Sequence, residues 1–398
     1  MKNTVAVIGL GVVSALGIGI DNFWRNLIAG ESGISKIDAF DTSKYSREYA
    51  GEIKRFDPDQ FMPAKTSRLL GRAAQFAIAA TKLALEDACI RTAELKSRKV
   101  AVILGTTLPE GNALDHVSRL LVQKEISKLS PRDLLSIFPP SIPMNVSAHL
   151  GIESTNFLIP CACAAGNYAI GYGFDLLQSG AVDLAIVGGA EAISRLTFQG
   201  FHRLAAMAPE KCAPFDRHRK GMLVGEGAGI LILERSATKN SSAYAQILGY
   251  GLSCDAHHIA IPKKEGLKKA ITKALGNAKI TAGDLDYINA HGTGTLANDK
   301  TESAVIKELF SARPKKIPVS SIKSMLGHCM GAASSIEAIA CCMALKEQLI
   351  PPTINFTTAD PECDIDCVPN KARRIKLKTV LNNSFAFGGN NCCVVFAN

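Results

Sequence analysis

The chain has 398 residues, of which 47% are hydrophobic and 20% are charged, and its formal net charge at pH 7 is +9. This length allows a large core and two or three domain-sized units. No apolar stretch is long enough to cross a bilayer, and the basic residues are spread along the chain without a recognised nucleic-acid module. Neither a membrane span nor a nucleic-acid partner is therefore expected.

The start of the chain predicts a cytoplasmic protein. Residues 1–9 lack the extended apolar core of a signal peptide and are typical of a first β-strand. In a large cytosolic protein the twelve cysteines are expected to be free thiols. Close pairs such as Cys341 and Cys342 do not have the spacing of zinc ligands, so no metal site is expected.

The first strand, from Val5 to Ile8, leads into Gly9-Leu-Gly11. A dinucleotide-binding fingerprint needs a third glycine where the chain has Ser14, so a nucleotide-dependent enzyme is not expected. Further short apolar runs predict buried strands at residues 100–104, 184–187, 230–233, 287–289 and 392–396. Helix-like stretches at residues 73–88, 164–179 and 268–278 alternate with these strands, which favours an α/β fold.

Two stretches rich in Ala, Gly and Ser, residues 164–179 and 332–346, each follow a candidate catalytic turn. Helices with small residues on several faces are normally buried, so the pair suggests two similar halves whose helices pack together at the centre. A polar break at residues 238–242 predicts the boundary, which gives an N-terminal half, 1–238, and a C-terminal half, 239–398. Residues 109–143 are less regular and are expected to form an insertion or cap.

Cys163 is the first candidate catalytic residue. An apolar run ends at Pro160, and the small-residue stretch Cys161-Ala-Cys-Ala-Ala-Gly166 follows at the predicted start of a helix. Unpaired backbone N–H groups and the positive end of a helix dipole favour the thiolate, which attacks acyl carbonyls. Cys163 is therefore predicted to be a nucleophile.

Two histidines in glycine-bounded turns complete the pattern. His291 lies in Ala-His-Gly-Thr-Gly and His328 in Leu-Gly-His, with Lys323 five positions before the second histidine. One thiol, two imidazoles and an ammonium group suggest acyl-transfer or carbon–carbon bond chemistry. Imidazole N–H groups can stabilise the enolate that forms when a malonyl thioester loses carbon dioxide.

Six blocks along the chain, in this order, resemble the elongating β-ketoacyl-[acyl-carrier-protein] synthases, which are condensing enzymes of fatty acid and polyketide synthesis. The blocks are Gly9-Leu-Gly-Val-Val-Ser-Ala-Leu-Gly17, Cys161-Ala-Cys-Ala-Ala-Gly166, Asp216-Arg-His-Arg-Lys-Gly221 with Gly225-Glu-Gly-Ala-Gly229, Asn289-Ala-His-Gly-Thr-Gly-Thr295 with Asn298-Asp-Lys300 and Glu302, Ser321-Ile-Lys-Ser-Met-Leu-Gly-His328 and Asn383-Ser-Phe-Ala-Phe-Gly-Gly389. The resemblance covers essentially the whole chain. It implies a thiolase-like fold of two pseudo-symmetric halves in α-β-α-β-α layers.

The resemblance implies a 3-oxoacyl-carrier synthase in which Cys163 takes the acyl chain from acyl carrier protein. The enzyme would then decarboxylate malonyl-carrier and extend the chain by two carbons. Lys323 would hold His328 and pair with Glu337, and the backbone N–H groups of Cys163 and Phe387 would form an oxyanion hole. No cofactor is implied, because the carrier protein supplies its own phosphopantetheine.

Further residues are implied to bind substrate and carrier. The predicted gating and acyl-pocket residues are Phe387, Gly388, Gly389, Asp255, His258, Leu108 and Phe201. The predicted carrier-docking residues are Lys65, Arg68 and Arg72, whose spacings of three and four would place them near one face of a helix. The chain departs from the family pattern at Ala165, at Asn390 and in Thr107-Leu-Pro-Glu110. None of these departures removes a reacting group. They bear on the acyl-chain preference.

The resemblance leaves two alternatives open. The first is a thiolase acting on coenzyme A thioesters, which the pair of histidines disfavours because thiolase sites use a second cysteine with one histidine. The second is a non-catalytic subunit similar to a chain-length factor, which the presence of Cys163, His291, Lys323 and His328 disfavours. A homodimer is expected by analogy, and a heterodimer with a related subunit is the alternative.

Overall fold

The protein is built around a large mixed β-sheet. Its computed structural model describes residues 4–108, 110–138, 141–236 and 243–398. The strands are β1 (Thr4–Ser14), β2 (Gly17–Ile18), β3 (Ser35–Lys36), β4 (Tyr49–Ala50), β5 (Val100–Gly105), β6 (Ser154–Ile159), β7 (Leu184–Glu191), β8 (Gly227–Ser236), β9 (Ala245–Cys254), β10 (Tyr287–Asn289), β11 (Val319–Ser320), β12 (Leu349–Ile350), β13 (Arg373–Arg374), β14 (Thr379–Phe385) and β15 (Asn390–Ala397).

Helices cover both faces of the sheet. They are α1 (Ile20–Ala29), α2 (Ala64–Ser67), α3 (Arg72–Asp87), α4 (Thr92–Leu95), α5 (Gly111–Val122), α6 (Pro131–Ser136), α7 (Ser141–Leu150), α8 (Ala165–Gln178), α9 (Arg195–Arg203), α10 (Lys264–Ala278), α11 (Leu296–Leu309), α12 (Lys323–Leu326) and α13 (Ala333–Glu347). Within the described part of the chain, none of them combines the length and the apolar composition needed to cross a membrane.

The sheet consists of two halves with the same topology. In the N-terminal half the strand order is β6-β5-β7-β8-β1, and in the C-terminal half it is β11-β10-β14-β15-β9. When the five strands of each half are numbered in chain order, their order across the sheet is third, second, fourth, fifth, first in both halves. In both halves the fifth strand runs antiparallel to its neighbours. The predicted fold of two pseudo-symmetric halves is confirmed.

The two halves meet through β1 and β9, which pair antiparallel where Val5 lies opposite Ile247. Helices α8 and α13 pack against each other between the two halves of the sheet, while α3 and α10 lie on the outer faces. The small residues allow this close packing: the backbone N–H of Asn167 on α8 donates to Ser334 Oγ on α13 at 2.9 Å. Because α13 is buried along almost its whole length, it carries no polar face.

The predicted elements are mostly present, with longer strands than the apolar runs alone indicated. The first strand continues through Gly9-Leu-Gly11 to Ser14. The expected lack of regular structure within residues 109–143 is wrong, because α5, α6 and the start of α7 lie there, whereas the role as an insertion or cap stays a prediction. Helix α6 begins with Pro131 and a capping box between Ser130 and Asp133, a local signal of a helix start. The predicted boundary at 238–242 lies outside the described residues, so the division at 238 stays a prediction.

Candidate active site

Cys163 lies in a single 3-10 turn, Ala162–Ala164, directly before α8. Ser384 Oγ donates to the carbonyl oxygen of Cys163 at 2.9 Å and fixes this turn. The backbone N–H groups of Phe387 and Cys163 itself point toward the sulfur and lower its pKa, as does the nearby ammonium of Lys323. The sulfur therefore lies where hydrogen-bond donors converge.

The expected thiolate is nevertheless not the resting form. Complete burial of the Cys163 sulfur raises the pKa of the thiol to about 11, which outweighs Lys323 and the two N–H groups. The expectation that the start of a helix lowers the pKa of Cys163 is therefore wrong. It did not include the desolvation of the sulfur, which depends on the tertiary structure. Cys163 is a protonated thiol at neutral pH.

The two histidines come from the C-terminal half and meet Cys163 at one point. His291 follows β10, and His328 follows α12. One ring nitrogen of each histidine and the Cys163 sulfur all lie within 4.8 Å of one another. The two rings are nearly perpendicular, with centroids 5.5 Å apart. The structure thus brings together three groups that are distant in the sequence.

Hydrogen bonds on the far side of each ring define its tautomer. The backbone N–H of Met330 donates to His328 Nδ1 at 3.1 Å, so the ring proton lies on Nε2, which has no partner among the described residues. Lys323 Nζ lies 3.4 Å from His291 Nδ1. Burial and the charge of Lys323 hold the pKa of both histidines well below 6.5. Both rings are therefore neutral, and each can offer an Nε2–H donor.

Lys323 and Glu337 form the predicted pair. The ammonium contacts Glu337 Oε1, and each side chain is only 2% exposed. Burial raises the pKa of Glu337 to about 7, and the charge of Lys323 opposes that rise. Lys323 also reaches His291 and forms no hydrogen bond with His328, so the expectation that it holds His328 is wrong. One ammonium links the carboxylate to the His291 imidazole.

A cluster of one cysteine and two histidines could hold a metal ion, but the hydrogen bonds argue against it here. The Nδ1 lone pair of His328 accepts from Met330, and that of His291 faces an ammonium. The remaining nitrogen of each neutral ring then carries a proton and is a donor, whereas a metal needs a lone pair. The donor set fits an oxygen atom of a substrate better than a cation.

The predicted gating residues lie on two loops that touch each other. Phe387–Gly389 form one turn, in which Gly388 and Gly389 have φ values of 80° and 76° that only glycine adopts without strain. Gly388 N–H donates to the carbonyl oxygen of Ile259 at 2.7 Å, and Asp255 N–H donates to that of Gly389 at 3.0 Å. The two loops are therefore joined by backbone hydrogen bonds.

A cavity with an open mouth reaches Cys163 between these loops. Its lining includes Cys163, Phe201, Met222, Asp255, His258, Ile259, Ile261, His291, Thr293, Thr295, Asn298, His328, Phe385, Phe387 and Gly389. The rings of Phe201 and Phe387 lie 5.5 Å apart and narrow it. Leu108 does not line this cavity, so its place in an acyl pocket stays a prediction.

The predicted docking residues do not share one helix. Lys65 lies on α2, which ends at Ser67, and the exposed Arg68 follows before α3 begins at Arg72. Arg72 is bound to Glu226 through two hydrogen bonds of 2.7 and 3.0 Å. The Arg72 side chain is only partly exposed, at 31%, and its guanidinium is engaged in this ion pair, whereas Lys65 and Arg68 face solvent.

Two buried carboxylates hold the turns of the candidate site. The sequence pattern includes Glu302 in the His291 block without a role and does not single out Glu191. Glu302 accepts the backbone N–H groups of His291 at 2.9 Å and Gly292 at 2.8 Å. Glu191 accepts N–H groups from two distant segments, one of which is the turn after His328. A glutamate at the end of a fully apolar strand, as in Gly188-Gly-Ala-Glu191, was the available signal.

Two halves of one topology, with a buried thiol and two neutral imidazoles between them, define an acyl-transferring condensing enzyme of the thiolase-like fold. The chain belongs to the β-ketoacyl synthase family. Residues 2–239 match "Beta-ketoacyl synthase, N-terminal domain" and residues 244–357 match "Beta-ketoacyl synthase, C-terminal domain". The membership predicted from the motifs is confirmed.

Three known proteins illustrate the similarity. The 3-oxoacyl-[acyl-carrier-protein] synthase 2 of Synechocystis sp. is 37% identical over 407 residues, which cover 99% of this chain and 98% of the relative. The structure of the ishigamide ketosynthase/chain length factor matches with a TM-score of 0.95 and 38% identity over 100% of both chains. A ketosynthase bound to the hexaketide, in complex with its type II PKS acyl-carrier protein, matches with a TM-score of 0.89 and 29% identity, also over 100% of both chains.

Proposed function

We propose that this chain is a decarboxylating 3-oxoacyl-[acyl-carrier-protein] synthase of fatty acid or polyketide-type synthesis. The observation that carries the proposal is the convergence of the Cys163 sulfur with one nitrogen each of His291 and His328, within 4.8 Å, at the end of an open cavity. The similarity to 3-oxoacyl-[acyl-carrier-protein] synthase 2 over nearly the full length supports it.

Acyl transfer to Cys163 is the first step. The thiol attacks the acyl carbonyl of the carrier thioester, a new thioester forms at the sulfur, and the carrier leaves as a thiol. The proton lost by Cys163 balances the proton gained by the departing sulfur, so a resting thiol with a pKa near 11 fits this exchange. The backbone N–H groups of Cys163 and Phe387 stabilise the tetrahedral oxyanion, an effect worth about 3 kcal/mol for one donor.

Decarboxylation of malonyl-carrier is the second step. The carbon–carboxylate bond breaks, carbon dioxide leaves, and the electron pair moves onto the thioester oxygen as an enolate. The Nε2–H groups of His291 and His328 donate to that oxygen, and because both rings are already neutral they need no change of protonation. The enolate carbon then attacks the acyl-Cys163 carbonyl and releases the cysteine thiolate, which takes a proton from water to return to the resting thiol. The product is a 3-oxoacyl-carrier two carbons longer.

Lys323 keeps His291 in the donor tautomer, because its ammonium faces Nδ1 at 3.4 Å. Glu337 neutralises this buried ammonium. The reaction needs no metal and no organic cofactor of the protein, since the reacting thioesters arrive on the phosphopantetheine of the carrier.

The joined loops at the mouth form the gate. Phe387 lines the cavity together with Cys163 and contacts Phe201, while Gly388 and Gly389 allow its turn to change shape. Asp255 anchors the second loop by accepting the Lys263 N–H at 2.9 Å and the Asn391 side-chain amide at 2.6 Å. His258 closes that loop through hydrogen bonds from Ala260 and Ile261.

The acyl carrier protein is the proposed macromolecular substrate, and the exposed cations Lys65 and Arg68 are its proposed docking residues.

A cytoplasmic homodimer is proposed as the working assembly, with a heterodimer of related subunits as the alternative. Strand β6 lies at the edge of the sheet, where its Phe157 is 37% exposed. An unpaired edge strand can be covered by the same strand of a second copy across a two-fold axis. Mass photometry of the wild type and of Phe157→Lys tests this assembly.

The decisive experiment mixes the purified chain with malonyl-carrier and acyl-carriers of graded length and identifies the products by mass spectrometry. We expect 3-oxoacyl-carriers two carbons longer than each accepted primer. Acylation of Cys163 from coenzyme A thioesters, but not from carriers, would support a thiolase instead. No condensation by the chain alone, with activity restored by a second related subunit, would show that the working enzyme is a heterodimer.

A further inference from the structure

Glu191, the last residue of β7, is a buried carboxylate without a cationic partner. It is 2% exposed, and no lysine or arginine forms an ion pair with it among the described residues. Four donors surround it instead. Oε2 accepts Thr107 N–H at 2.6 Å, Gly331 N–H at 3.0 Å and Thr106 Oγ at 3.3 Å, and Oε1 accepts Leu108 N–H at 3.2 Å. Every one of these contacts is to a donor.

These donors come from opposite halves of the protein. Thr106, Thr107 and Leu108 follow β5 in the N-terminal half, whereas Gly331 lies in the turn Met330–Ala332 of the C-terminal half. The two segments are in direct contact, since a Cβ added at Gly331 would lie 2.2 Å from the Cα of Thr106. The Glu191 carboxylate therefore joins the segment after β5 to the turn that follows His328.

The same turn sets the orientation of His328. Met330 donates its N–H to His328 Nδ1, and the next N–H along the chain, that of Gly331, is bound by Glu191. If Glu191 released Gly331, the peptide between Met330 and Gly331 could rotate, and the hydrogen bond to the imidazole would lengthen or break. The link from Glu191 to the ring thus passes through two consecutive backbone N–H groups.

We propose that Glu191 is a positioning residue that fixes His328 for the decarboxylation step by tying its turn to the segment after β5. The inference rests on the proposed function, because it concerns one step of that reaction. Acylation of Cys163 depends less on this tie, since Ser384 and the backbone N–H of Phe387 hold the nucleophile from another side.

The test compares Glu191→Gln with Asp87→Asn. Asp87, at the end of α3, is the control: it forms no ion pair with a lysine or arginine among the described residues and accepts the Leu10 N–H and the Tyr244 hydroxyl, both at 2.8 Å and far along the chain from the His328 turn. At Glu191 the amide keeps one acceptor but sets an NH2 group against a backbone donor. We expect decarboxylation of malonyl-carrier to fall about 10- to 100-fold in Glu191→Gln, with the rate of Cys163 acylation changed about threefold or less.

Asp87→Asn should leave the ratio of the two rates as in the wild type. Glu191→Ala, which removes all four acceptor contacts, should lower the ratio further if it folds. Equal loss of both rates in Glu191→Gln, or no loss of either, would overturn the inference. A wild type that neither acylates nor decarboxylates would instead contradict the proposed function, so the two failures are distinguishable.

Discussion

The backbone N–H of Met330 donates to Nδ1 of His328 at 3.1 Å, two residues back along the chain. This contact leaves the ring proton on Nε2, which is buried and has no other partner in the described part of the protein. A buried donor without a partner is costly, by about 1–3 kcal/mol. His328 lines the open cavity, so this donor is available to a ligand there, and in the proposed reaction the acceptor is the thioester oxygen of the malonyl substrate.

Replacing His328 by alanine should affect the two half-reactions unequally. Loss of the Nε2–H donor should slow decarboxylation of malonyl-carrier about 100-fold, the usual effect of removing one donor from a developing oxyanion. Acylation of Cys163 should change far less, because its oxyanion is held by backbone N–H groups. Separate assays of carbon dioxide release and of acyl-enzyme formation check this, with His116→Ala as an exposed control. Equal slowing of both steps would contradict the division of roles.

Cys163→Ala should abolish covalent labelling by acyl-carriers. Intact-protein mass spectrometry measures the acyl adduct directly. Cys161→Ala is the matched control, since it removes a partly buried thiol only two residues away and should leave the adduct unchanged. An acyl adduct that persists in Cys163→Ala would remove this residue from the mechanism.

The groups that meet in the candidate site could be predicted from the sequence because each lies in a short local pattern. Cys163, His291, Lys323 and His328 occupy small-residue or glycine-bounded turns, and such turns form at the ends of buried strands. Their chemical state could not be predicted in the same way. The pKa of the Cys163 thiol is set by burial against groups from both halves, and the His328 tautomer by a backbone N–H whose direction no sequence pattern records.

The fold shows the same limit. The alternation of apolar runs predicted the strands, yet the order of those strands follows from pairing between distant segments. Arg72 illustrates the consequence at the level of one residue. Its spacing from Lys65 and Arg68 suggested a docking patch, but its partner Glu226 lies 154 positions further along the chain.

The raised pKa of Cys163 gives a pH-dependent prediction. With a pKa of about 11, roughly one thiol in a thousand is ionised at pH 8. Alkylation by iodoacetamide, which needs the thiolate, should therefore rise about tenfold for each pH unit from 7 to 10. Mass spectrometry of the Cys163 peptide at each pH measures this rate. A plateau near pH 8 would contradict the assigned protonation state.

Glu110 should make the protein less stable as the pH rises toward neutrality. Burial raises the pKa of this carboxyl from 4.5 to about 7 in the folded state. Between these values the folded chain binds a proton that the unfolded chain has lost, so the free energy of unfolding falls as the pH increases and stays low above 7. The shift corresponds to up to about 3 kcal/mol.

Urea denaturation at pH 5 and pH 8 tests this effect. Glu110→Gln, which cannot ionise, should show a smaller loss of stability between the two pH values than the wild type. Glu125→Gln, at an exposed position, should behave like the wild type. The same loss in all three proteins would show that Glu110 does not titrate in this range.

Mutations of the three cations predicted to dock the carrier should have two different effects, one on the KM for the acyl-carrier and one on stability. Lys65→Glu and Arg68→Glu reverse exposed charges, so they should raise the KM for the acyl-carrier about tenfold at low salt, with kcat unchanged and with a smaller effect at high salt. Lys96→Glu reverses another exposed charge on the same half and should have little effect on this KM.

Arg72→Ala leaves the fully buried carboxylate of Glu226 without its cation, so it should lower the free energy of unfolding by about 3 kcal/mol. Steady-state kinetics at two salt concentrations and denaturation curves distinguish these outcomes, and a salt-dependent KM effect of Arg72→Ala at unchanged stability would place it on the docking surface.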